Sequence, residues 1–446
     1  MKSVAFHNLG CKVNSYEIEV MQQKLQESGY KIVPFDSKAD VYIVNTCTVT
    51  NIADQKSRQM LHRAKHMNPD AVVVAAGCYV QTGEEQLRND PFVDLAIGNN
   101  RKKDVAEILE AFLRERKNRA AGYYGCERID IGHTDEYEEM KLERTDGHTR
   151  ASIKIQDGCN QFCSYCIIPF ARGRARSRRE EDVLAEIRGL AANGYKEVVL
   201  TGIHISSYGL DFNGKSDLLS LLEKTAGIEG IKRVRLGSLE PRIISEEFAE
   251  RLHAIPGFCP HFHLSLQSGC DETLRRMNRH YTTGEYYERV KLLRRIFDNP
   301  AITTDVIVGF PQETEKEFEE TCAFLEQARF FEMHVFKYSR RKGTAADKLS
   351  GQIPATVKAA RSARLLAMEA AHSRAYRESY IGEETEILLE ERKKIGGRHY
   401  WIGHTKTYVR GALEAFDLAQ NRQNRLVRGV ATGFLTDEIV LLEEMH

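Results

Sequence analysis

The sequence predicts an α/β protein that ends in a small all-β barrel, and two patterns indicate this fold class. Over most of the chain, short continuous apolar runs alternate with helical segments, which is typical of parallel sheets. After Gly382 the pattern changes to short runs with a period of two residues, separated by Gly-rich turns. This second pattern is typical of a small barrel of OB-like character.

The bulk composition bounds the class of protein. A chain of 446 residues is long enough for about three domains. It carries 64 Lys and Arg against 64 Asp and Glu residues, so any RNA binding must come from local patches. Its 10 cysteines favour metal binding or reactivity over a secreted disulfide scaffold. No apolar run approaches the ~18–20 residues that span a bilayer, so we expect a cytoplasmic protein with no membrane partner.

The first third of the chain predicts a parallel sheet with a cluster of cysteines at one edge. The expected strands and helices lie at residues 4–9, 15–27, 41–45, 53–66 and 71–75. Cys11, Cys47 and Cys78 each follow the end of one of these strands. Because ligands collect outside the carboxyl ends of parallel strands, the three thiols form a candidate site. The alternative is three independent core cysteines, since free Cys is often buried.

The middle of the chain predicts a partial (β/α) barrel. Residues 112–149 have a weak pattern and indicate a linker or strap. Strand-like runs then follow at residues 152–155, 197–200, 233–236, 261–266, 303–308 and 331–338. Six strands with helical crossovers favour a barrel with active residues on the loops that follow the strands. A long helix is expected at 354–380, and short strands at 385–390, 400–403, 407–410, 426–433 and 438–442.

One loop in this region carries the strongest chemical signal. Cys159, Cys163 and Cys166 have the spacing C-x-x-x-C-x-x-C. Fe–S clusters are normally held by four thiolates, so three would leave one iron open. An open position marks a reactive metal site. The alternative, zinc, needs four ligands; no histidine occurs between His148 and His204, and no fourth cysteine lies nearby.

This loop, with Tyr165 directly before its last cysteine, resembles the signature of the radical S-adenosylmethionine (radical SAM) enzymes. The resemblance implies a [4Fe-4S] cluster whose open iron is chelated by the amino and carboxylate groups of SAM. The reduced cluster would then split SAM to a 5′-deoxyadenosyl radical.

Four further residues are predicted to contact SAM. Thr201 and Gly202 follow a strand, where a residue without Cβ lets the chain approach the cofactor closely. Gln267 follows another strand and is a candidate partner of the ribose. Gly309 belongs to a Val-Gly-Phe-Pro segment that resembles one contacting the adenine. The alternative for each is ordinary turn chemistry.

The cysteines of the first third have contexts that resemble the N-terminal domain of the methylthiotransferases. These contexts are residues 9–14 (Leu-Gly-Cys-Lys-Val-Asn), residues 45–50 (Asn-Thr-Cys-Thr-Val-Thr) and the pair Gly-Cys at 77–78. The resemblance implies that Cys11, Cys47 and Cys78 hold a second [4Fe-4S] cluster, which carries the sulfur to be transferred.

The methylthiotransferase resemblance covers nearly the whole chain and predicts its division. The expected parts are the auxiliary-cluster domain at 1–115, a linker at 116–144, the radical SAM core at 145–375 and a TRAM-type RNA-binding barrel at 376–446.

Members of this family modify either adenosine 37 of tRNA or a ribosomal-protein aspartate. Residues 10–14, 167–173 and 200–204 are most similar to the branch that acts on N6-threonylcarbamoyladenosine. We therefore expect an enzyme that adds a methylthio group to carbon-2 of this nucleoside, with a tRNA anticodon stem-loop and a reducing electron donor as partners. The sulfur donor is left open. The alternatives are isopentenyladenosine 37, a ribosomal-protein aspartate, or an RNA-binding Fe–S protein without catalysis.

Two basic segments are candidates for RNA contact. One follows the cysteine loop and comprises Arg172, Arg174, Arg176, Arg178 and Arg179. It is either a solvated stretch or a set of phosphate contacts, and both interpretations stay open. The other lies in the C-terminal barrel and comprises Tyr400, Trp401, Lys406, Arg410, Arg422, Arg425 and Arg428. Aromatic and basic residues together can stack on bases and follow phosphates, whereas the alternative is a barrel core with a charged face.

Overall fold

The computed structural model describes residues 2–118, 122–144, 149–214 and 216–445. Its N-terminal part is a parallel six-stranded sheet in the order β2-β1-β3-β4-β5-β6, as the sequence predicts. The elements are β1 Ser3–Asn8, α1 Lys12–Glu27, β2 Lys31–Val33, β3 Val41–Thr46, α2 Asn51–Met67, β4 Val72–Gly77, α3 Cys78–Thr82, α4 Glu84–Arg88, β5 Leu95–Ile97, α5 Val105–Arg116 and β6 Gly125–Glu127.

The sheet is buried on both faces, which explains its continuous apolar strands. In β3, Ile43 packs with α1 and α5, whereas Tyr42 and Val44 pack with α2 on the other face. This alternation requires apolar side chains on both sides of the strand. Helix α2 begins after Thr50, whose hydroxyl accepts a hydrogen bond from the Ala53 amide at 3.1 Å.

The central part is a half-barrel built from two four-stranded sheets, β10-β9-β7-β8 and β11-β12-β13-β14. They meet where Val234 accepts a hydrogen bond from Cys259 and donates one to Gly257. The elements are β7 Arg150–Asp157, α6 Ile168–Arg172, β8 Arg176–Ser177, α7 Glu180–Ala192, β9 Glu197–Gly202, α8 Leu218–Ala226, β10 Arg233–Leu236, β11 Ser238–Leu239, α9 Glu246–Ala254, β12 His261–Leu264, α10 Asp271–Arg276, α11 Thr283–Ile296, β13 Ala301–Val308, α12 Glu315–Ala328, β14 Glu332–Lys337 and α13 Ala355–Glu378. The six predicted strands correspond to β7, β9, β10, β12, β13 and β14, so the predicted partial barrel is confirmed, and two strands of two residues each, β8 and β11, add to it.

The C-terminal part is a closed barrel of five strands in the order β15-β16-β17-β19-β18. These strands are β15 Glu384–Ile395, β16 Arg398–Thr405, β17 Arg410–Glu414, β18 Leu426–Thr436 and β19 Ile439–Glu444. The predicted strand at 407–410 is wrong except at Arg410, where β17 begins. Residues 407–409 form a turn before that strand, because the Thr405 hydroxyl accepts a hydrogen bond from the Val409 amide and Tyr408 takes a left-handed conformation with φ 74°.

The N-terminal part closes the open side of the half-barrel. Helix α1 packs against β7 and β9 at one edge. At the other edge Arg341, just past β14, donates to the Thr48 hydroxyl and the Asn51 side chain, each at 2.7 Å, and to the Asp54 carboxylate at 2.6 Å. The two loops that follow β3 and β14 are thereby joined.

The C-terminal barrel covers the end of the half-barrel at which the strands of the half-barrel begin. Arg233 and Arg235, both in β10, donate to the carbonyls of His404 and Lys406 at 2.8 Å. Arg150, at the start of β7, pairs with Glu390 at 3.0 Å. Within the described ranges, no helix is both long and apolar enough to cross a membrane. The domain boundaries stay predictions, and those at 1, 145 and 446 lie outside the described residues.

Candidate active site

The fold brings the three cysteines of the N-terminal part together at one sheet edge. Cys11 precedes α1, Cys47 follows β3, and Cys78 begins α3 directly after β4. Gly10 makes their approach possible: its φ is +110°, and a Cβ there would lie 3.2 Å from the Cys47 sulfur. Burial, together with the neighbouring thiols, raises the pKa of Cys47 to about 11. Three thiols on one backbone cradle fit a cluster that needs sulfur ligands.

Cys11 and the adjacent Lys12 lie on the side of the N-terminal sheet that meets the half-barrel. Cys11 and Lys12 are exposed to solvent, yet burial raises the pKa of the Cys11 thiol and lowers that of the Lys12 ammonium. The Lys12 ammonium lies 5.9 Å from the ring of Tyr408, which Arg150 of β7 and Arg235 of β10 also approach. The edge of the N-terminal sheet therefore opens into the interior of the half-barrel.

The loop with Cys159, Cys163 and Cys166 follows β7 and folds tightly on itself. Gly158 has φ +69°, and a Cβ there would lie 1.8 Å from the Arg174 carbonyl oxygen, so only glycine fits. Burial raises the pKa of Cys159 to about 11 and that of Cys166 to about 12. Three thiols on one loop fit a cluster with one open iron.

Arg279 is a functional candidate that the sequence reasoning missed. Its guanidinium donates to the Cys163 sulfur at 3.2 Å and to the Tyr281 hydroxyl at 3.0 Å. A cation that donates to a cluster ligand tunes the cluster's charge and potential. It stands alone in its sequence context, without a spacing that would reveal it.

A buried polar junction connects the two sets of cysteines. Asn99 donates to the Cys78 sulfur at 3.5 Å and to the Ala171 carbonyl at 2.7 Å. Arg172, the next residue, donates to Glu17 at 2.8 Å and to Asp157 at 3.1 Å. Because α6 follows the second cysteine loop directly, these bonds fix the two sites relative to each other.

Glu17 is the centre of this junction. Lys102, Lys154 and Arg172 all pair with its carboxylate, and all four side chains are at most 1% exposed. Burial alone raises the pKa of Glu17, but Arg172 and the two lysines outweigh it and hold that pKa well below 4.5.

The structure corrects both interpretations for three of the five arginines after the cysteine loop, and leaves them open for the other two. Arg172, Arg176 and Arg178 are buried and bonded within the protein, so they neither face solvent nor contact phosphates. Arg178 pairs with Glu186 and Glu139. The remaining members, Arg174 and Arg179, are exposed.

The predicted SAM contacts occupy the carboxyl ends of both half-sheets. Thr201 and Gly202 end β9, and Gln156 ties this end to the cysteine loop by donating to the Gly158 carbonyl at 2.8 Å. Gln267 and Gly309 lie on the other half-sheet. Gln267 has φ 76° and donates its amide to the Asp305 carbonyl at 2.9 Å.

At Gly309 the reason for glycine is packing. Its φ is +70°, and a Cβ would lie 2.1 Å from Cγ of Lys358 in α13.

A second missed candidate, Glu240, follows β11 at the same rim. It pairs with Arg242 at 2.7 Å and lies 3.7 Å from His204. Burial opposes ionisation, but His204 and Arg242 lower the pKa of Glu240 to about 2. An ionised, largely buried carboxylate at the mouth of the half-barrel can accept hydrogen bonds from hydroxyl or amino groups of a ligand.

The aromatic pair of the C-terminal barrel is not available for stacking on bases. Tyr400 and Trp401 are 6% and 5% exposed and belong to the two apolar clusters of the barrel. Arg422 pairs with Glu444 at 2.5 Å. The interpretation of this pair as an RNA-stacking surface is therefore wrong, and the alternative of a barrel core is correct.

Two family models and several known proteins match this chain. The model described as the Radical SAM superfamily matches residues 153–325, and that of Uncharacterized protein family UPF0004 matches residues 3–98. The threonylcarbamoyladenosine tRNA methylthiotransferase MtaB of Bacillus subtilis (strain 168) is 40% identical over 411 residues, covering 92% of this chain and 90% of that protein. The tRNA-2-methylthio-N(6)-dimethylallyladenosine synthase of Moorella thermoacetica is 34% identical over 427 residues, covering 94% and 93%.

Among solved structures, the radical S-adenosylmethionine methyltransferase TsrM of Kitasatospora setae matches with a TM-score of 0.53 at 16% identity, over 77% of each chain. This likeness concerns the fold. The half-barrel with its three-cysteine loop defines a radical SAM enzyme. More narrowly, the chain belongs to the methylthiotransferase family, and its cofactors are SAM and two [4Fe-4S] clusters.

Proposed function

We propose that this enzyme adds a methylthio group to carbon-2 of N6-threonylcarbamoyladenosine at position 37 of tRNA. The observation that carries the proposal is the pairing of two three-cysteine sites through Asn99 and Arg172. One site for radical generation and one for sulfur is what insertion of sulfur into an unactivated C–H bond requires. The names of the relatives at 35–40% identity support the nucleoside.

The geometry supports two ligand sets. We assign Cys159, Cys163 and Cys166 to the SAM-chelating cluster, and Cys11, Cys47 and Cys78 to the auxiliary cluster. When bound, the first cluster with SAM supplies a 5′-deoxyadenosyl radical, and the second carries the sulfur.

The protein's own residues position these groups. Thr201, Gly202, Gln267 and Gly309 are the proposed SAM contacts at the rim. Arg279 stabilises the charge at the first cluster through Cys163. The ion pair between Glu17 and Arg172 holds α1, which follows Cys11, against α6 of the half-barrel. The reaction also needs an external reductant, and we place it in the cytoplasm, where tRNA is modified.

Nucleoside analysis tests the assignment. Mass spectrometry of tRNA from a strain that lacks this protein is expected to show no 2-methylthio-N6-threonylcarbamoyladenosine and an increased amount of its precursor. Complementation with the wild-type chain restores the product. An unchanged product in the deletion strain would refute the substrate assignment.

The second candidate is isopentenyladenosine 37, because a relative with a dimethylallyladenosine name is 34% identical over most of the chain. Loss of 2-methylthio-isopentenyladenosine in the same measurement identifies this alternative. A loss confined to ribosomal-protein peptides identifies the aspartate alternative.

A further inference from the structure

The two nucleosides named for the relatives differ in charge on their N6 substituent. A threonylcarbamoyl group ends in a carboxylate, whereas a dimethylallyl group is an uncharged hydrocarbon. Both substituents share the Watson–Crick edge of adenine with carbon-2, the atom to be modified. The cavity wall beside the sulfur-carrying site therefore has to meet either an anion or an apolar group.

That wall is cationic. Lys12 directly follows Cys11, and its ammonium lies 5.9 Å from the ring centre of Tyr408. The guanidinium groups of Arg150 and Arg235 lie 5.0 and 4.9 Å from the same ring. His261 stacks on this ring at 4.9 Å. The ring of Tyr408 is thus surrounded by three cations and by the imidazoles of His261 and His404, the latter at 4.7 Å.

Two of these cations are already paired. Arg150 lies 3.0 Å from Glu390, and Arg235 donates to Glu197 at 2.9 Å. Lys12 differs: among the residues that the structure describes, no carboxylate lies within 4.0 Å of its ammonium.

The nearby histidines leave this imbalance in place. His263 and His334, on β12 and β14, each lie 3.2 Å from the Asp305 carboxylate. These groups are paired with one another. Of the three cations around Tyr408, Lys12 is therefore the one for which the described residues supply no carboxylate partner, and it is exposed.

We propose that Lys12 binds the carboxylate of the threonylcarbamoyl group and so sets the preference for an anionic N6 substituent. This inference rests on the proposed function. A bound carboxylate would supply the counter-charge that Lys12 lacks. Because N6 and carbon-2 share one edge of adenine and Lys12 is next to Cys11, this contact would bring carbon-2 close to the Cys11 site. Arg150 and Arg235 contribute a positive background but keep their own partners.

The test is a double-mutant cycle between the lysine and the carboxylate. Kd is measured by fluorescence anisotropy on the reconstituted holoenzyme, with anticodon stem-loop RNAs carrying threonylcarbamoyladenosine, its carboxamide, or isopentenyladenosine. Lys12→Met is expected to weaken binding of the acid RNA by about 10- to 100-fold, the usual loss of a hydrogen bond to a charged group. The same variant binds the carboxamide RNA as the wild type does. Lys12→Arg retains most of the preference, and Lys31→Met, an exposed lysine of β2, is the matched control.

An equal loss on the acid and carboxamide RNAs would overturn the role of Lys12 and leave the proposed function standing. Wild-type enzyme that modifies the isopentenyl RNA and not the threonylcarbamoyl RNA would overturn the proposed function, and the role of Lys12 with it.

Discussion

Single residues distinguish the two proposed cluster sites of this protein. On the loop that follows β7, Cys163 accepts a hydrogen bond from Arg279. At the edge of the N-terminal sheet, Cys47 lies against the turn at Gly10. The six cysteines were predictable because their spacing and their places after strands are visible in the sequence. Asn99, Glu240 and Arg279 were not, because an isolated polar residue acquires its role only when distant segments meet.

The cysteine variants test this separation. Cys163→Ala is expected to abolish reductive cleavage of SAM, because its cluster loses one of three ligands. Cys47→Ala is expected to retain cleavage and lose sulfur insertion, because only the second site is damaged. Both are measured by chromatography of 5′-deoxyadenosine and of the RNA nucleosides after chemical reduction.

The control for this pair is Cys126→Ala, which alters a half-buried thiol outside both sites. Full sulfur insertion by Cys47→Ala would remove the second site from the mechanism.

At the scale of elements, α1, β7 and α6 meet through ionic bonds in a fully buried place. Glu17, Asp157 and Arg172 contribute one side chain from each element. Breaking a buried ionic network at one member leaves uncompensated charge, which costs about 3–5 kcal/mol. The run of arginines looked like a surface stretch in the sequence, because charge is normally solvated. Only the fold shows that acids from other elements surround it.

Glu17→Gln is expected to lower the free energy of unfolding by about 3–5 kcal/mol at pH 7. Since the folded-state pKa of Glu17 lies below 4.5, its contribution is complete above pH 4.5 and is lost as the pH falls further. The difference between variant and wild type should therefore narrow on acidification. Urea denaturation over a pH series measures it.

The matched control is Glu85→Gln, an exposed glutamate of α4, for which a change within about 0.5 kcal/mol is expected. Equal stability of Glu17→Gln and wild type at neutral pH would show that the junction does not stabilise the fold.

The sequence pattern predicts most strands but not every segment next to them. Continuous apolar runs predicted β3, β4 and the six half-barrel strands because burial on both faces imposes that pattern. In the C-terminal barrel the strands are expected from a period of two residues, yet residues 407–409 form a turn before β17. The side chains of this turn serve the interface with the half-barrel instead, where the ring of Tyr408 meets His261 at 4.9 Å.

At the scale of the whole molecule, both the N-terminal sheet and the C-terminal barrel pack on the half-barrel. The N-terminal sheet covers the open side of the half-barrel through α1 and Arg341, and the C-terminal barrel covers the end where the strands begin. Sequence patterns indicated the three parts separately. The contacts between them join residues hundreds of positions apart, and no local pattern encodes such contacts.

This closure explains how both sites can serve one base. Cys11 lies where the N-terminal sheet meets the half-barrel. The loop with Cys159, Cys163 and Cys166 lies across the junction that Arg172 forms. A base that enters the half-barrel would thus meet both proposed cluster sites without leaving the protein.

The most direct test follows the hydrogen atom that must leave carbon-2. The reconstituted enzyme is given SAM, a reductant, a sulfur source and anticodon stem-loop RNA with deuterium at carbon-2 of threonylcarbamoyladenosine. Mass spectrometry is expected to find deuterium in 5′-deoxyadenosine, in proportion to the methylthio nucleoside formed. Formation of that nucleoside with unlabelled 5′-deoxyadenosine, or labelled 5′-deoxyadenosine only with the isopentenyl RNA, would contradict the account.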